Sequence, residues 1–406
     1  MRSLCLLLLA LNLAAQDFTQ RGFMDLQFTA YPQTAPGDSG RAVGEAVLRY
    51  EPAYKLSPRF RLSASFEART DSHRQTDRSG GLWWKDRGLQ RPAFTVRQLS
   101  ATYHRGGVTV ELGKQFIRWG KSDILNPTDR FAPRDFLNVM DNESLAVTAA
   151  RVTWEARSSD TIDFVYSPRF TPSRSPLLDQ RWAVLPDFLQ GVAIRDTGAR
   201  LPGGPQFGVR WSHIGSGFEH SLTFYEGFNH LPSFDGWIAT NPPRVEVVRF
   251  YPKMRMAGAG GAIPLRWFTA KGEAAYFTSS TPQAEEYLQY GFQLERQLGE
   301  WLLVGGYTGE YVTRAVSGYR FAPDRGLARA FLGRAQYTID VNRSLAFEGA
   351  LRRNGDGVSL KFEYTQAIGQ HLRATGSFTL IRGAPTDYLG MYRRNSHGVL
   401  SLRYSQ

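Results

Sequence analysis

Hydrophobicity in this chain alternates residue by residue, and past its first fifteen residues no stretch approaches the ~18 consecutive apolar residues of a spanning helix. Phe60, Leu62, Ala64, Phe66 and Ala68 alternate with Arg61, Ser63, Ser65, Glu67 and Arg69. Val358, Leu360, Phe362 and Tyr364 alternate with Ser359, Lys361, Glu363 and Thr365. A period of two belongs to a strand whose two faces meet different surroundings. Aromatic residues make up 13% of the 406 residues, high for a chain this polar. That content suits strands with one face in lipid and the other in water.

The alternation predicts strands over 21–31, 43–54, 59–70, 94–104, 108–118, 144–156, 161–167, 206–214, 219–228, 245–261, 266–278, 286–296, 301–312, 329–339, 344–352, 357–366, 371–381 and 397–405. Most are near the ~9–11 residues that cross a bilayer at a tilt. Every second connection is short: 55–58, 105–107, 157–160, 215–218, 262–265, 297–300, 340–343 and 367–370. The intervening ones include all the long loops, among them 71–92, 119–143, 168–205, 229–243, 313–328 and 382–395. A soluble sandwich has no reason to sort its loops this way, whereas short turns on one side and long loops on the other mark an outer-membrane barrel. The expectation is an all-β protein: a transmembrane antiparallel β-barrel of about 18 strands (16–18), both termini periplasmic, with loops 71–92, 119–143 and 168–205 extracellular. Tyr54, Tyr103, Trp154, Trp211 and Tyr337 precede short turns, and Phe60, Trp267 and Trp301 follow them, which predicts a ring of aromatics at one bilayer interface. Tyr31, Tyr166, Phe228, Tyr276, Tyr287 and Tyr311 are expected to form the opposite ring.

Residues 1–15 read as a signal peptide, with Arg2, the apolar run Leu4 to Leu13 and the small pair Ala14-Ala15; residues 16–406 then form the single barrel domain. Cys5, the one cysteine, lies in that leader, so disulfides and thiolate chemistry are excluded from the rest. The seven histidines form no metal-ligand spacing, and there is no phosphate-binding glycine loop. A catalytic role, a cofactor and a metal are therefore not expected. The formal charge of +12 does not imply nucleic acid, because no basic run with stacking aromatics stands apart from the strand pattern. Basic loops instead suit contact with anionic lipopolysaccharide or attraction of anions.

Strand parity assigns an inward face. Arg49, Arg61, Arg69, Arg151, Arg210, Lys271, Arg334, Arg352, Lys361, Arg373 and Arg403 fall on it, together with Asp25, Glu45, Glu67, Glu111, Asp163, Glu273, Glu295, Glu310, Glu348 and Glu363. The wall is thus close to neutral. Facing lipid at mid-depth, each Arg or Lys would cost roughly 2–4 kcal/mol.

Leu112-Gly113-Lys114-Gln115 leads into Trp119-Gly120, then Asp123, Asn126-Pro127 and Asp129. This segment resembles the signature of a family of bacterial outer-membrane porin-like proteins, with a broader similarity to alginate-export-like channels. The resemblance covers about 25 residues. It implies a channel for a polar or anionic solute or a polysaccharide, inserted by the barrel-assembly machinery, and leaves the cargo open. Arg118, Lys121, Asp123, Asp129, Arg130, Arg134 and Asp135 crowd the loop that follows. They either face solute at a constriction or neutralise one another and hold the loop to the wall. Leu177, Leu178, Trp182, Val184, Leu185, Phe188 and Leu189 make the longest loop apolar. Two other functions fit the pattern: a surface-attachment or capsule-organising barrel closed to flow, and a channel for hydrophobic compounds.

Overall fold

The computed structural model describes residues 17–185, 189, 191–318 and 321–406. The expected signal peptide and Phe188 lie outside the described residues. The largest sheet has nineteen strands; one of them, Thr76–Trp83, pairs in parallel with Arg91–Arg105 as a flap, and the other eighteen close into a barrel. In chain order these are β1 (Phe18–Ala30), β2 (Ala42–Ser57), β3 (Phe60–Asp71), β4 (Arg91–Arg105), β5 (Val108–Gln115), β6 (Val147–Arg157), β7 (Asp160–Ser167), β8 (Gln206–Gly215) and β9 (Phe218–Phe228). The ring continues through β10 (Lys253–Pro264), β11 (Thr269–Thr278), β12 (Glu286–Leu298), β13 (Trp301–Arg314), β14 (Ala330–Asp340), β15 (Arg343–Arg352), β16 (Gly357–Ile368), β17 (Leu372–Gly383) and β18 (His397–Ser405). Each strand pairs antiparallel with its sequence neighbours. The ring closes where β1 meets β18, with Asp25 opposite Arg403 and Leu26 opposite Leu402. Closure leaves no unpaired edge, which is what a sheet in hydrocarbon requires. The first and last strands both reach the rim of short turns.

The two faces differ as the alternation demands. Met24, Leu26, Phe28, Leu48, Leu222, Phe292, Phe331, Phe362, Leu400 and Leu402 point outward and are exposed. An exterior this apolar around a closed ring is stable only against lipid. Near the short turns, Tyr54, Tyr103, Trp154, Trp267 and Trp301 are exposed, and the Trp301 and Tyr337 rings lie 4.8 Å apart. The opposite ring is only half as expected. Tyr166, Tyr276 and Tyr311 are exposed, but Tyr31, Phe228 and Tyr287 are buried in the interior, where loops fold over them.

One expected strand divides. The span 245–261 contains the end of Pro243–Phe250, which leaves the barrel, and the start of β10. Tyr251-Pro252 separates them, and a proline cannot donate to a ladder. Pro243–Phe250 instead joins Ser233–Thr240 and Ile194–Arg200 in a three-stranded sheet built from long loops. The strand expected over 108–118 also stops early, at Gln115.

Candidate functional site

The Gly113-Lys114-Gln115 strand end has a physical explanation. Gly113 sits at φ +123°, and a Cβ there would lie 2.3 Å from the Leu99 carbonyl oxygen, so only glycine fits. The Lys114 ammonium is buried and donates to the carbonyls of Trp84 (2.9 Å) and Val96 (2.6 Å) and to the Asp86 carboxylate (2.5 Å). The buried Gln115 amide donates to the Ala149 carbonyl at 3.0 Å. These contacts end the strand and direct the chain inward.

The chain then crosses the lumen instead of leaving it. Trp119 and Phe131 pack edge to face, 5.4 Å apart, and Phe131 meets Tyr225 at 5.1 Å. With Ile117, Val165, Met256 and Phe277 they form a dry cluster against one side of the wall. The wall is hollowed to receive them. A Cβ on Gly208 would lie 2.8 Å from both Trp119 and Phe131; on Gly258, 2.8 Å from Thr128; on Gly306, 2.5 Å from Ile124. Polar bonds complete the seat: Thr128 donates to Glu273 (2.7 Å), and Ser122 donates to Gln293 (3.1 Å). Gly208→Val is expected to strain the docked loop by about 1–3 kcal/mol, the usual range for overpacking. Faster protease cleavage within 119–136, with the barrel still folded, would report it.

The structure distributes the charged residues of this loop as follows. The Asp129 carboxylate accepts from the backbone N–H groups of Trp119 and Gly120, which closes the turn. Arg130 lies over the Phe277 ring at 5.0 Å and 3.8 Å from Asp324. Arg134 donates to Asn142 at 2.9 Å, Lys121 pairs with Glu219 at 2.5 Å, and Arg118 donates to Ser144 at 3.2 Å. Asp123 faces the lumen and pairs with Lys271 at 3.2 Å. Asp135 is buried between Arg91 (2.9 Å) and Arg174 (3.0 Å), and Arg174 also reaches Asp86 (2.9 Å). Burial opposes ionisation of Asp135, but the two guanidiniums overcome it and hold the carboxyl well below the usual aspartate range. The Lys114–Asp86–Arg174–Asp135–Arg91 chain thereby ties three loops to the wall. These charges are occupied in holding the loop; Asp123, which accepts from Gln293 at 2.6 Å, does so while also bordering the open space.

The wall residues interlock. Arg49 pairs with Glu67 (2.6 Å), Arg69 with Glu45 (2.8 Å), Arg151 with Asp163 (2.6 Å), Arg334 with Glu348 (3.1 Å) and Lys361 with Glu363 (3.1 Å). Arg352 pairs with Asp387 (3.0 Å) and anchors the 384–396 loop. Arg210 is buried and donates to Ser221 at 3.3 Å. Arg61 is exposed near the short-turn rim. Arg373 lines the open space, with no ion pair among the described residues.

The loop leaves the far half of the barrel open. A cavity of about 960 Å³ runs beside it, bordered by β1 and by β11 to β18. On β17 it reaches from Thr379 to Arg373, roughly 20 Å of strand at ~3.3 Å per residue. A second cavity of about 300 Å³ lies nearer the long loops, lined by His73, Gln75, Arg91, Arg181 and Trp182. The two share Asp25, Gln27, Asp141 and Arg403, which lie where they adjoin. Asp141 was not among the expected site residues. It sits at the tip of the folded-in loop, exposed, without an ion-pair partner among the described residues. Nothing periodic marks a single acid at a loop tip.

A closed barrel of eighteen strands with a loop folded into its lumen is the fold of the outer-membrane porins. Solved structures of that kind superimpose on it. OccK3 (OpdO) of Pseudomonas aeruginosa matches with a TM-score of 0.56 and 11% identity over 98% of this chain and 97% of that one. OccAB3 of Acinetobacter baumannii matches with 0.56 and 10% over 96% and 99%. A BenF-like porin from Pseudomonas fluorescens Pf-5 matches with 0.56 and 8% over 96% and 98%. No family model and no curated protein matches the chain.

Proposed function

We propose that this protein is a channel of a bacterial outer membrane that passes small polar solutes through the open half of its lumen. The observation that carries the reading is the long cavity beside the folded-in loop, whose mixed wall carries charged and hydroxyl side chains with charges paired along it. A paired wall admits polar molecules without holding either sign of ion tightly. The reading includes an orientation with the long loops outside the cell and both barrel ends at the periplasmic rim. It also includes insertion by the barrel-assembly machinery and contact of the basic loops with lipopolysaccharide. Closer kinship with alginate-export-like channels would rest on the Gly113-Lys114-Gln115 strand end and the strand number.

Proteoliposomes containing the folded protein are expected to swell in isotonic small sugars. Folded protein that gives no swelling would instead support a closed attachment barrel. Where the two cavities adjoin, Asp141→Asn is expected to shift the reversal potential in a salt gradient toward anions. A unit charge roughly 6 Å from a passing ion in water is worth about 0.7 kcal/mol, or about threefold in local concentration. An unchanged reversal potential would place Asp141 off the solute path.

A further inference from the structure

A second large space, separate from the lumen, lies between the three-stranded sheet and residues 175–185, 189 and 191–193. It measures about 920 Å³, within the range of small-ligand sites. Leu177, Leu178 and Leu185 form one side; Ile194, Trp237 and Val245 form the other. Its inner end is closed by Trp182 and Phe321, which pack on Tyr392 (5.6 Å) and Phe136 (6.0 Å). This explains why the longest loop is so apolar: its side chains wall a cavity opposite a β-sheet.

The charged groups at this cavity define what it accepts. Arg244 is taken up by Glu246 at 2.6 Å, and Asp196 by Arg249 at 3.3 Å. Asp179 is exposed at the rim and has no cation partner among the described residues. Among the described lining residues no free positive charge is present to hold a carboxylate or phosphate, and the unpaired Asp179 repels anions. Apolar walls of this extent gain free energy when an apolar body displaces water from them.

We propose that this cavity is a binding site for a neutral lipophilic small molecule taken from the external medium. The site does not depend on conduction through the lumen, since none of its six wall residues lines the open channel. Its described lining residues, Trp182 and Phe321 included, all stand on loops or on the added sheet.

The test uses the full-chain protein in detergent, titrated with the neutral probe N-phenyl-1-naphthylamine and, in parallel, with its anionic relative 8-anilinonaphthalene-1-sulfonate. Uptake into micelles rises linearly, so the saturable fluorescence is the readout. The neutral probe is expected to saturate at one site and to bind about tenfold more tightly than the anion, a difference set by the missing cation and by Asp179. Val245→Trp, which intrudes an indole into the cavity from the sheet side, is expected to abolish the saturable part. Leu178→Glu, on a loop that carries no barrel strand, provides the same test without touching the sheet. Absence of saturable binding in the parent protein overturns the proposal. So does binding that survives both substitutions, or equal affinity for the anion.

Discussion

Deletion of residues 119–136 is expected to raise single-channel conductance in planar bilayers by roughly twofold or more, because an 18-stranded ring is wide enough to hold water and this loop fills one side of it. The loop is held there by a dry cluster, not by the strands alone. Trp119 and Phe131 sit in the hollow over Gly208, and Thr128 and Ile124 fill those over Gly258 and Gly306. A milder variant makes the same point. Trp119→Ala removes the largest anchor and leaves the loop's length unchanged, so it should give noisy, intermittently larger currents. Conductance equal to that of the parent in both variants would mean that the loop does not limit the path.

Asp135→Ala is expected to cost about 3–5 kcal/mol, the range for removing one partner of a buried ion pair. The reason is what remains behind. Arg91 would keep the neutral Gln75 amide oxygen at 3.0 Å and, as a carboxylate, Glu45 at 4.0 Å, and Arg174 would keep Asp86. The Leu137 N–H, which donates to the Asp135 carboxylate at 3.1 Å, would also lose its acceptor. Asp135→Asn should fall between, since an amide oxygen still accepts from Leu137 and the charge is lost. Urea unfolding in detergent measures the difference, and a change below ~1 kcal/mol would show the network to be dispensable. The pH dependence has a definite sign. The folded carboxyl titrates below its ordinary value, so its contribution is complete above roughly pH 4 and fades only as pH falls toward the folded value. The parent's stability should therefore decline in acid more than that of Asp135→Asn.

The barrel was legible because each strand carries its own two-sided signal. Val358 to Thr365 needs no partner to declare which residues meet lipid and which meet water, and β16 appears as read. The alternation also explains the one division that was missed. Val245 and Val247 continue the period of two, and only Tyr251-Pro252 marks the exit from the ring. The site was less legible. Which charges face solute and which hold a loop depends on pairings between distant residues. Arg174 meets Asp86 and Asp135 across 88 and 39 positions, and Lys114 meets Asp86 across 28. No spacing encodes such contacts. The density of charge in 118–135 therefore pointed to the right segment without separating Asp123, which faces the lumen, from Asp129 and Asp135, which do not.

Nitroxide labels placed singly at residues 359, 360, 361 and 362, in protein whose Cys5 is replaced by Ser and which is reconstituted in liposomes, test the two-solvent ring most directly. Labels at 360 and 362 should relax preferentially with oxygen, which concentrates in lipid, and labels at 359 and 361 with a water-soluble nickel chelate. Equal access at all four positions, or a pattern that does not reverse at each step, would contradict the barrel and every inward assignment drawn from it.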